Sequence, residues 1–184
     1  MKFTTTLLSL IGLAAAAPAP QVPASGAVIT PTALSQYSVW TGAIQYNTGY
    51  GKIFKNGKTT DVTTLLTFTY PAASAGKTCT FHLYLASTST LTGAKAFDIF
   101  SSLQPATYST TTWPPGNQRN IQLARVSAVL AGEVTYLAGY PQTAKSYPCP
   151  AAGTVAGYEF VPTDDTTDIE WTQGAGVGAY ITYS

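Results

Sequence analysis

The sequence predicts an all-β protein, an antiparallel β-sandwich of about nine or ten short strands. Three observations lead there. Short runs alternate apolar and polar residues with a period of two, most clearly at Thr78–Leu85. In that run Cys79, Phe81, Leu83 and Leu85 face one way while Thr80, His82 and Tyr84 face the other. Turn residues separate these runs at roughly regular intervals, and no helical pattern intervenes to carry the crossover that a parallel sheet requires. Hydroxyl residues are abundant: 30 Thr and 13 Ser among 184 residues, against only 9% charged. That balance suits the solvent faces of sheets better than those of helices.

The elements follow in order. Residues 18–36 are rich in Pro, Ala, Ser and Thr and read as a flexible lead-in, which leaves a single domain over residues 37–184. Ser38–Tyr46 is expected as the first strand, with Trp40, Ile44 and Tyr46 on one face. Gly49–Lys55 ends at Asn56-Gly57, a hairpin turn signal. Val62–Tyr70 alternates Leu66, Phe68 and Tyr70 until Pro71 stops it. After Thr78–Leu85 come Ala96–Phe100, Ile121–Val126 and Val134–Leu137, then Tyr158–Val161, Asp168–Thr172 and Ala179–Tyr183. Ile121–Leu130 is the one stretch with a helical alternative, and its β-branched Val126 and Val129 favour a strand.

The first 17 residues read as a secretory signal. A positive start (Met1-Lys2) precedes an apolar stretch, Phe3–Ala17, followed by small residues. Pro18, Pro20 and Pro23 end that stretch before it could span a bilayer, which needs about 20 apolar residues. The C-terminal GAGVGAYITYS lacks the apolar tail of a glycolipid-anchor signal. The expected product is therefore exported to the medium or cell wall, with no membrane span and no glycolipid anchor. Cys79 and Cys149 are the two cysteines, and in an oxidising compartment the natural reading is a disulfide, the alternative being two free buried thiols. The net charge is +1, so no field of either sign steers nucleic acid or anionic lipid, and a nucleic-acid partner is excluded.

Several motifs point to chemistry and fail on context. Gly76-Lys77-Thr78 lacks the upstream glycine and following helix of a phosphate loop. Gly174–Ala179 satisfies a dinucleotide pattern, yet only five residues follow it. Ser74–Lys77 matches the serine–lysine pattern of acyl-serine enzymes without its companion elements. His82, the single histidine, lies in a dense strand and reads as a structural residue. No cofactor or metal site is expected. The acidic group Asp164, Asp165, Asp168 and Glu170 is the most concentrated polar feature. It reads first as a turn (Asp164, Asp165) and an outward strand face (Asp168, Glu170). It also holds enough oxygens for calcium, or a pair of carboxylates for glycoside hydrolysis.

The same segments carry a resemblance. Phe68–Ala72 (FTYPA), Cys79–Leu83 (CTFHL), Phe97–Phe100 (FDIF), Pro148–Pro150 (PCP), Gly157–Pro162 (GYEFVP), Asp168–Trp171 (DIEW) and Gly178–Ile181 (GAYI) resemble, in this order, the fungal But-type C-terminal domain. That family is named for proteins that bind the activating enzyme of a ubiquitin-like modifier. The resemblance covers about Tyr37 to Ser184. It implies a β-sandwich domain, often in exported fungal proteins, with no established catalytic residues to transfer.

Three functions follow as expectations. The first is a secreted, non-catalytic fungal module that binds a protein or a cell-wall glycan. Its aromatics supply rigid contact area, and Trp113, in the turn before Pro114-Pro115-Gly116, is the exposed contact. The second is a hydrolase using Asp168 and Glu170, for which a cleft and one raised carboxyl pKa would be the signature. The third is an intracellular adaptor of a modifier-activating enzyme, which the family name alone suggests.

Overall fold

The computed structural model describes residues 27–114, 116–174 and 176–184. It is an antiparallel β-sandwich of fifteen strands. In chain order these are β1 (Val28–Ile29), β2 (Ala33–Ser38), β3 (Ala43–Gln45), β4 (Tyr50–Lys55) and β5 (Val62–Thr69). Then come β6 (Thr78–Leu85), β7 (Thr90–Gly93), β8 (Ala96–Ser102), β9 (Arg119–Ser127) and β10 (Gly132–Glu133). The last five are β11 (Thr135–Tyr136), β12 (Tyr147–Pro148), β13 (Val155–Pro162), β14 (Thr167–Thr172) and β15 (Gly178–Tyr183). A five-stranded sheet has the order β1-β15-β6-β10, with β12 beside β6. A ten-stranded sheet has the order β11-β9-β8-β13-β5-β4-β14-β7, with β2 and β3 added along β5.

The core lies between the sheets and uses the alternation directly. Phe81, Leu83 and Leu85 of β6 and Ile181 of β15 meet Phe68, Phe97, Ile99, Phe160, Ile169 and Trp171 of the larger sheet. Phe81 sits at the centre, with edge-to-face contacts to Phe68, Tyr158 and Phe160 at centroid distances of 5.5, 5.2 and 5.6 Å. Gly51 lets β4 and β14 close up, because a Cβ there would stand 2.1 Å from the Trp171 ring. The Cys79–Cys149 disulfide is formed, with a Cα–Cα distance of 5.1 Å, and fastens the β12 edge to β6.

Four sequence expectations are corrected. Ser38–Tyr46 is not one strand: β2 ends at Ser38, residues 39–42 turn, and β3 returns antiparallel to β2. Gly42 closes that turn at φ 72°, and Trp40 is carried into solvent, away from the face of Ile44. The lead-in does not extend to residue 36, since β1 pairs with β15 and β2 forms a six-residue ladder with β5. Ala33, Leu34 and Ser35 are buried there; their composition resembles a linker, but their size fits a tight sheet contact. The domain thus starts before residue 37, while the expected signal over 1–17 lies outside the described residues, as do residues 18–26. Asn56-Gly57 does not close a two-residue hairpin, because β4 and β5 share only the pair Phe54–Val62. The Asn56 side-chain oxygen instead accepts the N–H groups of Lys58 and Thr59, both at 2.9 Å, in a wider loop. Val134–Leu137 is the crossing between sheets, β10 pairing with β6 and β11 with β9.

Candidate functional site

A concavity is built by the loop between β8 and β9. Ser102 ties the two ends of this loop: its Oγ donates to the Gln104 carbonyl at 2.9 Å and accepts the Gln118 N–H at 3.1 Å. The far side of the loop lies along β3, where Ile44 N–H donates to the Thr111 carbonyl and Trp113 N–H to the Gly42 carbonyl, both at 2.8 Å. Between these anchors Thr110 caps a turn by accepting the Thr107 N–H at 2.9 Å. Gly116 permits the closure, since a Cβ there would stand 1.8 Å from the Thr110 methyl.

The result is a groove of about 440 Å³ lined by residues 103–105, 107, 109–112 and 116. No lining residue is charged, and five of the nine bear hydroxyls. Exposed Leu103 (65%) lines it, and the same loop carries exposed Tyr108 (88%) and Trp113 (54%) next to lining residues in the chain. Trp113 is hydrogen-bonded to Gly42 of the β2–β3 turn, which also carries the exposed Trp40 (62%). Two amide oxygens in this region, Gln104 Oε1 and Asn117 Oδ1, are buried without a hydrogen-bond partner. Such acceptors are uncommon in folded proteins, and their burial puts them behind the groove wall and not on its surface.

The acidic group divides in two. Asp164 and Asp165 are exposed in the β13–β14 turn, where Asp164 accepts the Thr163 hydroxyl at 2.7 Å and Asp165 lies 3.6 Å from Lys55. Asp168 and Glu170 stand on the outer face of β14, alternating with the core residues Ile169 and Trp171. Lys52 Nζ is 2.6 Å from Glu170, and the Tyr50 hydroxyl donates to the same carboxylate. Burial by itself would raise the Glu170 carboxyl, but these hydrogen bonds hold it below the ordinary range. Asp168 is raised by burial and by the neighbouring Glu170 charge.

A small cleft of about 230 Å³ borders Tyr50, Glu170 and Thr90. Asp168 does not line it, and its carboxylate oxygen Oδ1 is buried without a hydrogen-bond partner. A retaining glycosidase separates its carboxyls by about 5 Å, an inverting one by more. Of the two carboxylates, Glu170 lines the cleft and Asp168 does not, and Lys52 and Tyr50 already engage Glu170. Among the described residues no group of three His, Cys, Asp or Glu side chains is placed to hold a metal ion.

Two ion pairs were not legible in advance. Glu159 is fully buried on the outer face of the larger sheet, held by Arg119 through two hydrogen bonds of 2.8 Å and by the Thr63 hydroxyl at 2.6 Å. Asp98 is held by Arg125 at 2.7 and 2.8 Å, with Tyr140 stacked 4.2 Å from the guanidinium. Their partners lie 40 and 27 residues away in sequence, beyond the reach of any local pattern.

Taken together, these features define a disulfide-bridged, all-β sandwich domain with an uncharged loop groove. The chain belongs to the family described as Ubiquitin 3 binding protein But2 C-terminal domain, which matches residues 31–176. That span covers β2 through β14, the groove and both cysteines. Comparison with curated protein sequences gave no significant match.

Proposed function

We propose that this domain is an exported, non-catalytic fungal binding module that recognises a neutral glycan of the cell wall through the groove between β8 and β9. The observation that carries this reading is an uncharged, hydroxyl-lined groove whose loop carries exposed Tyr108 and Trp113, with exposed Trp40 on the turn that Trp113 is hydrogen-bonded to. Flat aromatic faces suit the apolar faces of sugar rings, and the groove's threonine and serine hydroxyls suit sugar hydroxyls. An anionic or cationic ligand would meet no opposite charge there.

The test is co-sedimentation of the purified protein with insoluble β-glucan and with chitin. Trp113→Ala and Trp40→Ala should each weaken retention about tenfold, the scale of an aromatic contact worth about 1.4 kcal/mol. Asp168→Asn, away from the groove, serves as the control. Equal retention of all variants, or none of the wild type, would refute the reading.

The family description names a ubiquitin 3 binding protein, and a second reading is the intracellular adaptor of a modifier-activating enzyme. The apolar stretch Phe3–Ala17 opposes it. Fractionation with N-terminal sequencing separates the two. Recovery from medium or cell wall, beginning near residue 17, supports export. Recovery from the cytosol with Met1 or Lys2 retained supports the adaptor.

A further inference from the structure

The outer face of the five-stranded sheet, a different surface from the groove, carries the chain's single histidine. The register of β6 and β15 sets Tyr180 opposite His82 and Thr182 opposite Thr80, while β10 brings Glu133 opposite Tyr84. Four side chains are then grouped on this face, joined by two hydrogen bonds and one charge contact. The Tyr180 hydroxyl donates to Glu133 Oε1 at 2.5 Å, and its ring stacks on the imidazole at 4.6 Å and 8°. Glu133 Oε2 lies 3.7 Å from His82 Nδ1, and His82 Nε2 lies 2.9 Å from Thr182 Oγ1.

The chemistry of these contacts fixes their direction. Glu133 Oε2 is buried and has no hydrogen-bond partner, so the nearby Nδ1 is the position where a proton is favoured and a lone pair is disfavoured. With the proton on Nδ1, Nε2 is left as an acceptor for the Thr182 hydroxyl proton. The order of nucleophile, base and orienting carboxylate is the arrangement that activates a hydroxyl. All three side chains keep partial access to solvent.

We propose that Thr182 is an acyl-accepting nucleophile, with His82 as its base and Glu133 as the positioning residue, and that it takes an acyl group from an activated carboxylic ester. Thr182 Oγ attacks the ester carbonyl and passes its proton to His82 Nε2. The bond to the leaving alcohol oxygen then breaks, and that oxygen takes the proton back from Nε2. The product is an acyl ester on Thr182 plus a free alcohol, with His82 neutral again. Thr80, directly across from Thr182, makes no side-chain hydrogen bond among the described residues, and its hydroxyl is available to the developing oxyanion. This covalent site is independent of the reversible groove.

The test treats the full chain with p-nitrophenyl acetate and maps acetylation by peptide mass. Thr182 should be the modified residue, and His82→Gln should slow its modification about 100-fold, the scale of a lost general base. Because the chain has one histidine, its ¹⁵N spectrum reports the tautomer without ambiguity. The Nδ1–H form should dominate in the wild type and lose its preference in Glu133→Gln. Acetylation that bypasses Thr182, an unchanged rate in a folded His82→Gln, or a dominant Nε2–H form in the wild type would each overturn the proposal. If His82→Gln fails to fold, the wild-type tautomer and the site of acetylation decide.

Discussion

Replacing both cysteines by alanine should cost this domain about 4 kcal/mol. The bridge closes a loop of 70 residues, and chain-entropy reasoning gives a loss of about 15 cal/mol/K for that length, or about 4.4 kcal/mol at 25 °C. Native geometry should change little, because the joined segments also pair through their backbones. Tyr147 and Pro148 are in register with Cys79 and Thr78, and the Cys149 N–H donates to the Lys77 carbonyl at 2.9 Å. The effect therefore resides chiefly in the unfolded chain, which expands when released. For a domain of this size each kcal/mol moves the melting temperature by about 2–4 °C, so calorimetry should show a fall of about 8–16 °C. Urea titration should show a larger m-value, since the released chain exposes more surface. A loss below about 1 kcal/mol with an unchanged m-value would refute the entropic account. Free thiols at both positions in non-reducing mass mapping would refute its premise.

Four further outcomes are expected. Gly51→Ala should destabilise by about 3 kcal/mol in urea titration, because its methyl would meet the buried Trp171 ring at 2.1 Å. Arg119→Ala should cost about 3 kcal/mol by leaving the buried Glu159 carboxylate without its cation, and adding Glu159→Gln should restore much of the loss. Asp168 has a raised carboxyl, so the fold holds that proton more tightly than the unfolded chain does, and stability falls as pH rises from the ordinary carboxylate range through the raised value. Asp168→Asn removes that fall, so melting curves of variant and wild type should diverge in the variant's favour between acid and neutral pH. Glycan retention at the groove should change less than about twofold between low and high salt, because no charge lines it.

The strands that sequence reading located well are those whose two faces meet different surroundings. In β6, Phe81 and Leu83 are buried while His82 and Thr80 are half-exposed, so the alternation is written in polarity. β2 escaped notice for the opposite reason. Leu34 and Ser35 are successive and both buried, one within the inter-sheet core and the other on the opposite face of its strand, so burial there does not follow the polarity of the residues. Trp40 was misplaced because a large aromatic is ordinarily a core residue, whereas the left-handed Gly42 turns the chain before Trp40 can face inward.

The site was less legible than the fold, and pairing distance explains why. The groove depends on Ala43 bridging to Thr112, a contact across 69 residues that converts a Ser/Thr-rich loop into the wall of a concavity. Read locally, Thr110–Thr112 is only a hydroxyl cluster. His82 and Thr182 are 100 residues apart and meet because β6 and β15 are neighbours in one sheet. Asp168 and Glu170, by contrast, stood out because they are close in sequence, and it is Lys52 and Tyr50 from β4 that determine their chemistry by occupying Glu170. In a sandwich with this many long-range ladders, local clustering marks turns and outer faces. The constellations with chemical potential arise across the strand pairs instead, where the sheet register, and not the sequence interval, sets the distance between side chains.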